Sequence, residues 1–199
     1  MLTRLIAGLV LFHGVHLIPT FVNLRNRLRE RFGANLYLLA FSLVSAVALY
    51  LIVTGYGEAR IAGRANPVLW QPPAFGRHLV HLLMLISFIF LVAAYVPSRI
   101  RTAVKHPMLA AVKIWALAHL LVRGDLASVL LFGSFLVYAV YDRISVKRRT
   151  ALGPLGVATG RPVNDVVVVG GGLLLYAVFL FWGHDWLIGV PAINLSFAR

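Results

Sequence analysis

The chain has 199 residues, of which 60% are hydrophobic and 13% charged, against about 45 to 50% and roughly 25% in a soluble globular domain. That imbalance excludes a soluble domain, and the net charge of +13 does not argue for nucleic acid, because the cations punctuate apolar stretches and do not gather on one solvated face. With no cysteine, the chain offers no disulfide, no thiolate nucleophile and no sulfur-built metal site, so any metal must use histidine.

A helix crosses a bilayer in about 20 apolar residues. On that measure spans are predicted at 3–24, 36–56, 74–96, 107–122, 125–141 and 166–189. The expected fold is all-α: a polytopic membrane helix bundle of about six transmembrane helices, in one domain over residues 1–199 without an internal repeat. The first span starts with a single Arg4 and runs past Leu11 with no small-residue cleavage pattern, so it reads as a retained helix. After the second span come Gly55, Gly57, Gly63, Asn66, Pro67, Pro72 and Pro73, either an ordered excursion over the outer mouth of the bundle or a plain connector. Spans four and five are separated only by Arg123, Gly124 and Asp125, which predicts a tight V-shaped hairpin with glycine as stop and aspartate as the next N-cap. In the last span, Gly170, Gly171 and Gly172 permit close approach of a neighbouring backbone.

Short cytoplasmic loops collect Lys and Arg. Loop one carries Arg25, Arg27, Arg29 and Arg31; loop three carries Arg99, Arg101 and Lys105; loop five carries Arg143, Lys147, Arg148, Arg149 and Arg161. The opposite side has Arg4, Arg60, Arg64, Arg77, Arg123 and Arg199, so six spans with both termini outside satisfy every loop. Trp70, Trp182 and Trp186 fall near the predicted outer boundaries, where indoles prefer to sit.

Ionisable groups at membrane depth are costly and tend to mark function. His13 and His16 lie on the first predicted span, His78 and His81 on the third, His106 and His119 at the two ends of the fourth, and His184 near the outer end of the last. Imidazole is a common metal ligand and the natural axial ligand of haem iron. The orientation puts His78, His81 and His119 in the outer half, His16 and His106 in the inner half and His13 near the middle, so depth alone pairs His119 with His78 or His81. Arg77 and Arg123 stand at the same outer level, and arginine forks suit haem propionates. The alternative for each histidine is a hydrogen bond between packed helices, and for each arginine a side chain that snorkels to the interface. Lys113, in mid-span, either holds an anion, a propionate or a tyrosine such as Tyr138, or snorkels toward the cytoplasm. Asp125, Asp142 and Asp165 read as helix caps or topological anchors. No glycine-rich phosphate loop and no serine–histidine–carboxylate arrangement is present.

The run His106-Pro107-Met108-Leu109, then Lys113-Ile114-Trp115-Ala116-Leu117-Ala118-His119-Leu120-Leu121, then Gly124-Asp125-Leu126-Ala127-Ser128 resembles the NnrU family. Similar too are Leu131-Phe132-Gly133-Ser134-Phe135, Tyr141-Asp142-Arg143, Gly14-Val15-His16 with Pro19, Gly55-Tyr56-Gly57 and Arg77-His78-Leu79, so the likeness covers nearly the whole chain. The resemblance implies a multi-pass protein of the bacterial inner membrane, associated in denitrifying bacteria with nitrite and nitric oxide reduction. The same superfamily includes the zeta-carotene isomerase of plants and cyanobacteria, a haem b enzyme whose axial histidines fall in the segments matching His16 and His119. Ala116 stands where that isomerase has a cysteine, which puts carotenoid isomerisation in doubt and leaves a bis-histidine haem open. His106-Pro107 is distantly similar to membrane methyltransferases, whose further glycine and glutamates are missing here.

The resemblance therefore implies haem b held by His16 and His119, with His78 as the substitute ligand and Arg77 and Arg123 as propionate partners. Lys113 and His106 are further functional candidates in the bundle interior. Membrane or periplasmic nitrogen-oxide reductases are the implied partners besides the lipid bilayer. The rival expectations are a transport or assembly factor without catalysis and a haem-dependent isomerase of a polyene lipid.

Overall fold

The computed structural model of the chain describes residues 2–149 and 160–193; Arg199, counted above among the outer cations, lies outside them. Within the described residues the helices are α1 (Leu2–Leu17), α2 (Val22–Phe32), α3 (Ala34–Arg60), α4 (Gly76–Ala93), α5 (Arg99–Val104), α6 (Pro107–Leu120), α7 (Leu126–Arg148), α8 (Val163–Val178) and α9 (His184–Ile188). Five stretches are long and apolar enough to cross a membrane: Leu2–Thr20, Ala34–Arg60, Gly76–Ala93, Leu126–Arg148 and Val163–Ile188; α6 is apolar but shorter. The chain is thus an all-α polytopic membrane protein, as composition requires.

The segments expected as loops on the cation-rich side are largely helical. Pro19, in a 3-10 turn at Ile18–Thr20, ends α1 earlier than predicted. Arg25, Arg27, Arg29 and Arg31 then ride on α2, a polar helix stopped by Gly33 at φ 81°. Arg99 and Arg101 lie on α5, whose first turn is capped by Ser98 accepting from Arg101 N at 3.1 Å. The end of α7 carries Arg143, Lys147 and Arg148, two turns beyond the predicted limit. These cations do not break a helix, because Arg and Lys are good helix formers. Gly55 and Gly57 likewise belong to α3 and not to the connector after it.

The described residues group into two compact units, one within Met1–Trp70 and Asp125–Ser134, the other within Gln71–Gly124 and Phe135–Arg199. In the first, α1 packs on α3 through small residues. A Cβ on Gly8 would lie 2.8 Å from Ile52 N and 3.0 Å from Ala48 O, and Gly55 meets the backbone of Leu5. Leu5, Leu9, Ala48, Ile52, Tyr56 and Ala59 are buried around this contact. Lipid tails are as apolar as leucine, so close backbone approach and its dispersion contacts drive such a pair.

The start of α7 belongs to the same unit and satisfies its orphan amides one by one. Leu126 N donates to Pro67 O at 3.0 Å, Ala127 N to Asn66 Oδ1 at 2.8 Å and Ser128 N to Asp125 Oδ1 at 3.0 Å. Asp125 is therefore the N-cap expected of it, and the second connector is an ordered segment tied to α7. Asn66 Nδ2 donates back to Asp125 Oδ1 at 3.1 Å and Ser128 Oγ to Asp125 Oδ2 at 2.8 Å. Since the Ser128 proton goes to the carboxylate, Tyr56 Oη is the donor in its 2.8 Å bond to Ser128 Oγ.

In the second unit α4 packs against both α6 and α8. Gly76 sits on the Leu121 carbonyl, and Ser87 Oγ donates to Ala111 O at 2.9 Å. Ala111 and Ala118, seven residues apart, share one buried face of α6, and Ala116 is buried on the other side. Of the three glycines in α8, Gly172 makes the close approach: a Cβ there would lie 2.6 Å from Ile89 Cα, whereas Gly170 faces open space. Asp165, in the first turn of α8, accepts from Arg99 N at 2.8 Å and Ile100 N at 3.3 Å, so its carboxylate caps α5. Asp142 instead pairs with Arg149 Nη2 at 2.9 Å.

Candidate functional site

His119 occupies the last turn of α6. Its Nδ1 lies 2.8 Å from the Trp115 carbonyl oxygen. A carbonyl only accepts, so Nδ1 carries the proton and the neutral ring presents its lone pair at Nε2. The Trp115 ring lies 5.5 Å from the His119 ring, and Phe135 meets Trp115 edge-on at 5.5 Å, so aromatic surface lines this side.

His184 comes to the same place by a local irregularity. After Val178 the helix passes through a π turn, Phe179–Gly183, and resumes as α9 at His184. Gly183 fits the turn because even a Cβ would stand 3.3 Å from the Phe179 ring. The chain then reverses at Gly189, in the left-handed region at φ 70°, which L side chains other than Asn and Asp adopt only at a cost. That reversal lets His184 Nδ1 donate to the Val190 carbonyl at 2.6 Å, giving it the tautomer of His119. The two imidazole planes are within 11° of parallel and their centres are 6.4 Å apart.

In the first unit His16 repeats the pattern. Its Nδ1 donates to Phe12 O at 2.8 Å, with the ring stacked on Phe12 at 4.0 Å and facing Phe41 at 5.0 Å. His13 has the opposite tautomer. Ser134 Oγ gives its proton to Leu131 O at 2.9 Å, so His13 Nε2 donates in the 3.1 Å bond to Ser134.

The other expected residues are placed as follows. His78 and Arg77 are exposed on α4, and no hydrogen bond reaches either among the described residues. His81 Nδ1 is 3.2 Å from Tyr176 Oη, a packing bond between α4 and α8. Arg123 is half-buried and within electrostatic range of His119. Lys113 is half-buried on α6, and among the described residues no hydrogen bond or ion pair reaches it, from Tyr138 or elsewhere. His106, at the α6 N-cap, makes no capping bond. Burial, then the nearby Arg143, holds its pKa below the ordinary value.

An imidazole whose one nitrogen is fixed by a backbone carbonyl and whose other carries the lone pair is arranged as a metal ligand. His16, His119 and His184 meet that description. Among the described residues no group of three or more His, Asp or Glu converges to hold a bare ion. A macrocycle that brings its own equatorial nitrogens needs only one or two imidazoles, so this donor set fits haem better than a free metal. Of these three, His184 is the one that no sequence motif marks as a ligand. It stood at the end of an apolar run like the others, and the π turn that sets its phase leaves no sequence signal beyond Gly183.

Searches among curated proteins and among solved structures found no match. Residues 4–192 match the family model described as NnrU protein, nearly the full length, and the chain belongs to the NnrU family.

Proposed function

We propose that this protein is a haem b protein of the bacterial inner membrane, linked to nitrite and nitric oxide reduction, in which His119 would hold the haem iron. Family membership supports the link to nitrogen-oxide reduction. The observation that carries the haem is the His119 Nδ1 bond to Trp115 O, which turns a lone pair outward from an apolar helix. When bound, haem b supplies one-electron exchange and an iron site for diatomic gases. The chain's own residues do the rest. Trp115 and Phe135 keep water from the imidazole, and Arg123 offers a guanidinium fork to a propionate.

The test is an optical spectrum of detergent-purified protein after haem supplementation, with and without dithionite. A Soret band that sharpens and shifts on reduction, and is lost in His119→Ala, is expected. No Soret band in the wild type overturns the proposal.

Lys113 favours a second reading, in which the protein is an assembly or transport factor for a nitrogen-oxide reductase. A half-buried lysine with no carboxylate partner among the described residues is suited to hold an anionic group. A deletion strain that loses reductase assembly, together with purified protein that binds no cofactor, would establish that reading in place of the first.

A further inference from the structure

We infer that His184 is the second axial ligand of that haem, opposite His119, so that α6 and α9 alone supply both imidazoles. This rests on the haem reading above and adds to it a residue outside the set singled out by the family motif.

The first support is metrical. A ligating imidazole nitrogen sits about 2.0–2.1 Å from its metal and about 1.2 Å from its own ring centre, so two rings in line across one ion have centres about 6.4 Å apart. The observed separation matches that spacing at 6.4 Å, between near-parallel, stacked rings 11° apart, so the match is one of distance. The second is chemical. Both rings are anchored at Nδ1 by backbone carbonyls, which places both lone pairs on Nε2, and among the described residues nothing hydrogen-bonds to His184 Nε2. The third is local structure. The π turn at Phe179–Gly183 and the left-handed Gly189 together set the position of His184, and π turns inside helices recur at functional sites. The pairing also removes a conflict of depth, since His119 and His184 both belong to the predicted outer half, with Arg77 and Arg123 at the same level.

One consequence follows for reactivity. His184 sits on a five-residue helix with, among the described residues, one side-chain hydrogen bond of its own, whereas His119 ends a fourteen-residue helix packed on α4. His184 would therefore be the more easily displaced of the two imidazoles.

The experiment uses full-length haem-loaded protein in detergent, read by optical and low-temperature electron paramagnetic resonance spectra. The wild type is expected to show low-spin bis-histidine iron, His184→Ala to convert to high-spin iron and regain the low-spin signal on adding imidazole, and His16→Ala to remain low-spin. His184→Met guards against a folding failure. It fills the same space and is expected to raise the reduction potential, as methionine ligation does. A low-spin bis-histidine signal that survives in His184→Ala, an unchanged potential in His184→Met, or conversion to high spin by His16→Ala overturns the pairing while leaving haem binding intact. A wild type without a Soret band overturns the pairing and the haem reading together.

Discussion

Removing the carboxylate of Asp125 tests the structural account most directly, because it caps α7 through the fully buried Ser128. Asp125→Ala deletes the acceptor of three bonds, from Ser128 N, Ser128 Oγ and Asn66 Nδ2. Loss of an N-cap costs about 1 kcal/mol. Ser128 keeps its bond from Tyr56 and can turn its proton to a helical carbonyl, so it adds little. Asn66 has no such freedom, since its oxygen is fixed on Ala127 N at 2.8 Å. Its amide, half-buried and partly open to water, adds about 1 kcal/mol, the low end for a lost partner. The expected loss is about 2 kcal/mol, whereas Asp125→Asn, which keeps an oxygen for Ser128 N, should lose about half as much. The assay is reversible unfolding in mixed detergent micelles followed by tryptophan fluorescence. An Asp125→Ala protein within about 0.5 kcal/mol of wild type, less than even a weak cap contributes, would refute this account of the α7 start.

Gly172→Val should destabilise by about 1–3 kcal/mol or more, because the obstacle is the Ile89 backbone; Gly170→Val, facing open space, should be nearly neutral in the same assay. His106 gives a pH signature. Its folded pKa lies below the ordinary 6.5 because of burial and then Arg143, so the unfolded chain takes up the proton first. Its stabilising contribution is present above pH 6.5 and is lost as pH falls from there toward the lower folded value. His106→Gln should flatten that acid limb of a stability–pH profile, and an unchanged limb would show that another group titrates there.

The spans were legible because hydropathy and length act locally, and so was Asp125, whose capping role needs only the residues beside it. Gly172 could be named within a group of three, but its distinction from Gly170 depends on which helix face meets Ile89, a tertiary fact. The arginines of α2 and α5 were misleading as loop signals, since side-chain charge says nothing against helical backbone. His119 could be found from its motif. His184 could not, because its position depends on a one-residue phase shift in the helix before it and on the reversal at Gly189 after it.

The shortness of α6 has a physical consequence for the bilayer around it. Its fourteen residues reach about 21 Å, against about 30 Å of hydrocarbon. Hydrophobic mismatch of that size must be met by local thinning of the membrane or by water drawn toward the helix ends. Those ends carry His106 on one side and His119 with Arg123 on the other. A dent in the leaflet over Arg123 would shorten the path between water and the His119 imidazole, and thicker lipids would stretch it.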